Sequence, residues 1–338
     1  MVVSSSAEAL NCQRSTFLPR AVNLIVSCTN RKRHEAPAQT VVHGVGGASL
    51  AERLKYWKTN LRTAATAEYS AGDLYMGDHW SVVRSIPTAA EQSGLKVNTW
   101  ICSAGYGLIG PATPIKPYRA TFARSELDYV ASGLPDDANA LYRWWRGVCT
   151  YRFQHQTGEP RSIGALAAAF PRTPIVVALS ADYLRAVTPE IDEILGRAYF
   201  REHLAIVSCG THGAHPVWQE NLLPCDASLS GTLAGALTSL NARVVRRLFE
   251  DLKQNEPTVE ALTKAAIAIE RVNSPVVVQR ASKSDADIAA FIRSRLVRNP
   301  NCSKTLLLRE FRDIGWASEQ QRFGRIFSEV RMRSNLNG

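Results

Sequence analysis

The 338-residue chain is long enough for two domains, and its 45% hydrophobic content excludes a sequence that stays disordered for want of apolar surface. Its 40 Lys and Arg exceed its 30 Asp and Glu, so the net charge of +10 makes nucleic acid the default partner, with a mere solubility charge as the alternative. The seven cysteines are odd in number and include no C-x-x-C pair, which argues against a disulfide framework and a zinc ribbon and favours a reducing cytoplasm.

The N-terminus is the first element in chain order. Residues 1–20 lack the charged start and apolar stretch of a signal peptide, and we predict a loose leader there. No apolar run in the sequence approaches the ~18 residues that a bilayer requires, so the expected partners include no membrane.

Four short apolar runs follow, and each stops abruptly at polar residues, as buried parallel strands do. These runs span residues 22–28, 97–102, 174–179 and 204–208. Helical patterns occupy residues 49–70, 77–93, 136–155 and 188–202. The alternation predicts an α/β core over residues 21–215, in which helices flank a mostly parallel sheet.

Residues 216–338 show helical patterns alone, and we predict an all-helical, basic region that contacts DNA. From Arg280 to Gly338 the chain carries twelve Lys or Arg against six Asp or Glu. Residues 304–333 have the pattern of a helix, a Gly-containing turn and a second helix, which predicts a helix-turn-helix. An inward stripe of Phe323, Ile326, Phe327 and Val330 would leave Gln320, Gln321 and Arg325 outside for DNA. A helical hairpin that only closes the domain is the alternative.

Polar residues follow each apolar run, where ligands of parallel sheets bind. The predicted substrate-binding residues at these strand ends are Cys28, Thr29, Ser103, Asp182 and His212. Ordinary turn chemistry is the alternative explanation for such Ser-rich and Gly-rich segments.

Metal, cofactor and thiol chemistry are all disfavoured by the sequence. His212 and His215 lie in a Gly-rich loop without helical spacing, so Cys209 and Cys225 are not expected to complete a zinc site with them. No Walker or Rossmann glycine motif occurs, and we predict no cofactor. A nucleophilic Cys28 is disfavoured because it ends an apolar run, where small buried thiols are common.

Three segments combine into a more specific pattern. They are SCTNRKR at 27–33, GDLYMGDHW at 72–80, and CSAGYGLIG at 102–110 followed by IKPYR at 115–119. Their order over residues 22–122 resembles the YaaA-like peroxide-stress family of small bacterial proteins. In that family a strand ends in Ser-Cys-x-x-Lys-Lys, an Asp-Leu-Tyr element opens a helix, and Ser-Ala-x-Tyr-Gly-Leu precedes a Pro-Tyr pair.

The resemblance implies DNA binding and protection. Some relatives resemble base-excising enzymes of phage defence, including a glycosylase that removes glucosylated hydroxymethylcytosine. Two departures bear on this implication: the family often has Lys where this chain has Gly105, and often an acidic residue where this chain has Arg119.

The residue types of these segments fit base excision. Hydrolysis of a nucleobase from deoxyribose passes through an oxocarbenium-like state, which a carboxylate stabilises. The predicted catalytic residues are therefore Asp73 and Asp78, with Asn30 beside them; the alternative is that both Asp residues are helix caps.

Aromatic and basic side chains complete the predicted pocket and its rim. Tyr75, Tyr106 and Tyr118 would stack on a flipped base, unless they belong to the core. The predicted phosphate-binding residues are Arg31, Lys32, Arg33, Lys116 and Arg119.

The leading hypothesis is a cytoplasmic DNA glycosylase of anti-phage defence. It would flip a modified base, expected to be a modified cytosine of double-stranded phage DNA, and leave an abasic site. The alternatives are a non-catalytic DNA-binding stress protein and a small-molecule nucleoside hydrolase or base transferase.

Overall fold

The computed structural model describes residues 20–135, 137, 139–152, 158–209, 217–253, 255–272, 280–300 and 302–336. Residues 1–19 of the predicted leader and His212 of the predicted site lie outside these ranges.

Nine strands occur in the described residues. They are β1 Arg20–Ser27, β2 Tyr69–Ser70, β3 Leu95–Ser103, β4 Gly107–Ile109, β5 Pro114–Ile115, β6 Ile175–Ala178, β7 Leu204–Val207, β8 Ala281–Ser282 and β9 Trp316–Ala317. The helices of the same residues are α1 Leu50–Thr63, α2 Ala71–Leu74, α3 Asp78–Glu91, α4 Ala140–Cys149, α5 Ile163–Ala169, α6 Ala181–Leu195, α7 Ala198–His203, α8 Leu240–Asp251, α9 Val259–Ala268, α10 Asp285–Arg298, α11 Lys304–Asp313 and α12 Gln320–Leu336.

Five strands form the central sheet, in the order β4-β3-β1-β6-β7. β1 pairs in parallel with β3 and β6, β7 continues in parallel, and only β4 at one edge is antiparallel. Residues 22–26 of β1 are fully buried because helices cover both faces of the sheet. The predicted α/β fold, with a mostly parallel sheet and helices at the C-terminal end, is therefore confirmed.

The strand order positions a crevice. The chain runs from β1 to β3 and β4 on one side, and then returns across β1 to form β6 and β7 on the other side. Such a reversal opens a crevice outside the carboxyl ends of the strands between which it occurs, here β1 and β6.

The helices after residue 216 divide between two compact units. The chain separates into residues 1–273 and 274–338, whereas the sequence pattern placed a boundary at 215/216. The displaced boundary has a packing reason: α8 and α9 bury residues such as Val244, Leu248 and Leu262 in the same core as the sheet.

The second unit has a hydrophobic core of its own, built by α10, α11 and α12. Phe323, Ile326, Phe327 and Val330 of α12 are buried in it, as the helical stripe predicts. α11 and α12 are joined through a turn at Gly315, whose φ of 84° favours glycine. This unit also contains the short parallel pair β8 and β9, so it is not entirely helical.

A disulfide joins Cys209, just after β7, to Cys225. The inference against disulfides from the odd cysteine count was wrong for this pair. Its two cysteines are 16 residues apart, and they meet because the backbone N–H of Leu223 donates to Ile206 of β7, 2.8 Å away. In the described part of the chain, no helix has the length and apolarity needed to cross a membrane.

Glu190 of α6 provides a first testable prediction. Its carboxylate accepts from the backbone N–H groups of Ile163 and Gly164 at the start of α5, at 2.8 and 3.1 Å, and from the indole of Trp145 at 3.0 Å. Because Ala would leave these donors unpaired, we expect Glu190→Ala to lower the free energy of unfolding by about 2–4 kcal/mol in urea denaturation. The exposed Glu193 on the same helix is the control, and an equal loss in Glu193→Ala would contradict this assignment.

Candidate active site at the carboxyl edge of the sheet

Three hydroxyl groups form a buried network where β3 ends. The Ser103 hydroxyl lies 2.7 Å from the Tyr118 hydroxyl, which lies 2.8 Å from the hydroxyl of Tyr75. All three residues are fully buried, and burial raises the pKa of both tyrosines well above its usual value. The structure thus brings these three predicted substrate-binding residues together. Their buried, protonated hydroxyl groups form what we call the floor of the candidate site, and the tyrosine rings are not open surfaces for stacking.

Cys28 and Tyr183 meet in the crevice between β1 and β6. The Cys28 thiol lies 3.2 Å from the hydroxyl of Tyr183, which is carried by the first turn of α6. Sequence analysis identified Cys28 as a strand-end residue but did not choose Tyr183, although it directly follows Asp182, the residue predicted at that strand end. The nearby strand-end residues Thr29 and Asn30 are half-buried.

Lys32 reaches inward over this floor. Its ammonium lies 4.0 Å from the centre of the Tyr118 ring and 5.4 Å from that of Tyr75, and it donates to the carbonyl of Thr29 at 2.9 Å. Burial lowers the pKa of Lys32 to about 8; Arg119 lowers it further, whereas Cys28 and Asp128 oppose the shift. Lys32 was predicted to bind phosphate at an open rim, but it is half-buried against aromatic rings.

A buried carboxylate lies close enough to influence that amine. Asp128 is 2% exposed, and its two oxygens are held by Nδ1 of His43 at 2.7 Å and Nε of Arg119 at 2.8 Å. Because the carboxylate accepts a hydrogen bond from the Nδ1–H group, the lone pair of a neutral His43 is on Nε2, and that side chain is 42% exposed. An imidazole oriented in this way can act as a general base.

Neither His43 nor Asp128 was identified from the sequence. His43 lies in the short 3-10 helix Val42–Gly44 and Asp128 in a turn, far apart along the chain and with no periodicity or motif around them. The one available signal was Arg119, which stands where the resembling family often has an acid and whose guanidinium is bonded to Asp128.

The carboxylates of Asp73 and Asp78, which were predicted to be catalytic, are bonded to residues outside the network of Tyr75, Ser103 and Tyr118. Asp73 is exposed and accepts from the hydroxyl of Ser70 at 2.6 Å, while that hydroxyl caps α2. Asp78, the first residue of α3, binds the hydroxyl of Ser239 and the guanidinium of Arg243, and these hydrogen bonds lower its pKa. Neither aspartate is a helix cap, because Ser70 and Gly77 hold the N-cap positions of α2 and α3, so the alternative interpretation was wrong for both residues.

Of the other predicted site residues, some are exposed at the rim of the site and others form bonds that hold the surrounding structure. Arg31 and Arg33 are exposed, and Arg33 donates to the carbonyl of Asp73 at 2.8 Å. The Lys116 ammonium instead donates to the carbonyls of Arg62 and Ala64, at 3.1 and 2.8 Å, and so holds the C-terminal end of α1.

Tyr106 is buried, with its hydroxyl bonded to the backbone of Lys116. Asp182 pairs with Arg185 on the first turn of α6. In the second unit Gln320 is exposed, the side chain of Gln321 lies outside the described part, and Arg325 is bonded to Asp285 and Glu329 at 2.7 and 2.9 Å.

Two buried polar atoms near the end of β1 have no hydrogen-bond partner in the described structure. They are Nδ1 of His79 and the indole N–H of Trp80, whose ring stacks on Tyr75 with centroids 4.9 Å apart. Burial lowers the pKa of His79, and its Nε2 donates to the carbonyl of Ser27, so Nδ1 is an acceptor. An unused acceptor and an unused donor therefore adjoin the network.

Gly105 fits closely against the ring of Tyr118. The loop is fixed by the indole groups of Trp57 and Trp144, which donate to the carbonyls of Gly105 and Ala104 at 2.9 and 2.7 Å. A Cβ at position 105 would lie 2.5 Å from the Tyr118 ring, so the Lys common in the resembling family does not fit here. This departure follows from the packing of Tyr118.

We expect Gly105→Ala to lower the free energy of unfolding by about 1–3 kcal/mol, because the added methyl group must displace a fully buried ring. Thermal unfolding of the purified variant measures this effect. Gly46→Ala is the matched control, since a Cβ there meets nothing within 4 Å. Equal melting temperatures for both variants would mean that the ring is not held in this position.

A separate cleft of about 570 Å³ lies beside α7 and α9, lined by Arg201, Thr258, Lys264 and neighbouring residues. None of the predicted site residues lines it. Among the described residues, no group of three or more His, Cys, Asp or Glu side chains could hold a metal ion.

Comparisons of the chain with family models, with curated proteins and with solved structures gave no match. The resemblance of residues 22–122 therefore remains an inference from their motifs.

Proposed function

We propose that the protein excises a modified base from double-stranded DNA by hydrolysing its N-glycosidic bond, which leaves an abasic site. The observation that carries the proposal is buried Asp128, held by His43 and Arg119, with the half-buried amine of Lys32 close to it. This arrangement supplies a base, a proton donor and a negative charge at the carboxyl edge of the sheet, where ligands of such folds bind.

His43 would activate the attacking water. Its Nε2 takes a proton from the water while Asp128 stabilises the imidazolium that results. The negative charge of Asp128 also favours the positive charge that develops on the sugar as the base leaves. This assigns to Asp128 the role that sequence analysis gave to Asp73 and Asp78.

Lys32 would assist the departing base. One of its protons is used by the carbonyl of Thr29, and the others are available for a base on which negative charge accumulates. With a pKa near 8, Lys32 is mostly protonated at neutral pH, yet it gives up a proton more readily than an ordinary lysine.

DNA would be held by phosphate contacts on the rim. Arg31 and Arg33 are exposed on the loop that carries Lys32, whereas Arg119 is already bonded to Asp128. The choice of a modified cytosine from phage DNA rests on the motif resemblance.

A non-catalytic DNA-binding stress protein is the second candidate. The observation that favours it is that the floor has no open surface, since Tyr75, Ser103 and Tyr118 are fully buried. Under this alternative the network would only stabilise the carboxyl edge of the sheet.

The test is incubation of the protein with phage DNA that bears glucosylated or hydroxymethylated cytosine, and with unmodified DNA of the same sequence. Mass spectrometry identifies released bases, and an aldehyde-reactive probe counts abasic sites. Free base together with abasic sites supports the enzyme, whereas DNA binding without release supports the second candidate. Release from free nucleosides but not from DNA would indicate a small-molecule hydrolase.

A further inference from the structure

The position of Lys32 suggests more than proton donation. Its amine is oriented over two tyrosine rings and is tethered to the carbonyl of Thr29, so its long side chain is held in one place. The tyrosines beneath it are kept protonated by burial and therefore supply no counter-charge. Lysines held against apolar or aromatic surfaces next to another cation are the usual amine nucleophiles of enzymes that act on carbonyl compounds.

Burial against the aromatic rings favours a neutral amine. It is the main cause of the lowered pKa of Lys32, and the repulsion of Arg119 adds to it, whereas Cys28 and Asp128 act in the opposite direction. With a pKa of about 8, roughly a tenth of Lys32 is unprotonated at pH 7, against ~0.03% for a lysine of pKa 10.5. The reactive fraction is thus about 300-fold larger than that of an exposed lysine.

We propose that Lys32 captures the aldehyde of an abasic deoxyribose as an imine, so that the protein retains its own product. The nitrogen attacks C1′ of the ring-opened sugar, a C–N bond forms, and the carbonyl oxygen leaves as water. The imine then takes up a proton to become an iminium, and hydrolysis reverses every step without an oxidant or a reductant. This inference rests on the proposed function, since base excision creates that aldehyde.

The experiment uses a duplex with one abasic site, prepared by removing uracil with a separate enzyme, so base excision by this protein is not required. Sodium cyanoborohydride reduces the iminium to a stable secondary amine, and peptide mass spectrometry locates the attachment. Lys32→Arg keeps the positive charge but offers no comparable amine. Lys55→Arg removes an exposed lysine on α1 and is the matched control.

We expect adducts at Lys32 in the wild type and in Lys55→Arg, and at least a tenfold lower yield in Lys32→Arg and in a second variant, Lys32→Gln, each with a wild-type melting temperature. Attachment spread over other lysines, or an unchanged yield in a folded Lys32→Arg, would overturn the proposal. Base release without any trapping would refute this inference alone. Trapping at Lys32 without base release from modified DNA would support it while refuting the glycosylase.

Discussion

Asp128→Asn is expected to slow single-turnover base release by about 10²–10⁴-fold while the affinity for DNA stays nearly unchanged. Asn keeps the size of the side chain but loses the charge that orients His43 and stabilises its imidazolium. Quantifying abasic sites over time at saturating protein gives the rate, and fluorescence anisotropy gives the affinity.

Stability must be separated from catalysis in this variant, because Asp128→Asn weakens the bond to the Arg119 guanidinium, a loss on the order of 1–3 kcal/mol since that guanidinium is exposed enough to be solvated. His43→Gln is the second variant: it removes the proposed base from an exposed side chain and disturbs little packing. A rate loss of the same size in a His43→Gln protein of unchanged melting temperature would place the effect in the chemistry.

Asp73→Asn and Asp78→Asn are the controls for this prediction. Asp78→Asn is expected to lower the melting temperature, since it weakens the bonds to Ser239 and Arg243, but not the rate. If instead either control loses as much rate as Asp128→Asn, the catalytic carboxylate is the one that sequence analysis first indicated.

The sheet was predictable because the information for it is local. Each strand is a short apolar run that ends in polar residues, and burial on both faces requires such a run. Parallel pairing then followed from the helices between the runs, and the carboxyl edge followed from the pairing. Cys28 and Ser103 were therefore correctly placed at the edge as strand ends.

The chemistry at this edge was less predictable because it depends on contacts between distant loops. Asp128 meets His43 across 85 residues, and no residue near either of them indicates the other. Lys32 lies in a run of basic residues that is typical of a solvated rim, and only the tertiary fold turns it over Tyr118. Residue type predicted the charges, but the fold determines which of them are buried.

The domain boundary illustrates the same limit at a larger scale. Apolar periodicity identified helices after residue 216 but could not tell which core they join. α8 packs beside the sheet, whereas α12 packs within the second unit, although both are amphipathic helices with basic residues. The periodicity of a helix reports that one face is buried and gives no information about the partner.

The charge of the second unit leads to the last prediction. Arg325, the predicted DNA-binding arginine of α12, is already bonded to Asp285 and Glu329. By contrast, Arg293 and Arg298 of α10 and Lys304 of α11 are exposed and have no ion pair within the described residues. Phosphate binding requires charges that are not already neutralised, so these three residues are the better candidates.

In the variant for this test, Arg293, Arg298 and Lys304 are all replaced by Gln. We expect the slope of log K against log salt for DNA binding to become less steep by about 2–3, because each lost phosphate contact removes about 0.9 from it. The same three contacts correspond to an affinity loss on the order of 100-fold at 0.1 M salt. Fluorescence anisotropy with a duplex, titrated from low to moderate salt, measures both quantities, and the melting temperature confirms that the variant is folded. Arg325→Gln is the matched control, and we expect its slope to stay at the wild-type value because Asp285 and Glu329 already neutralise that guanidinium. If Arg325→Gln flattens the slope and the triple variant does not, the ion pairs of α12 open on DNA, and the helix-turn-helix contacts predicted from the sequence are the correct ones.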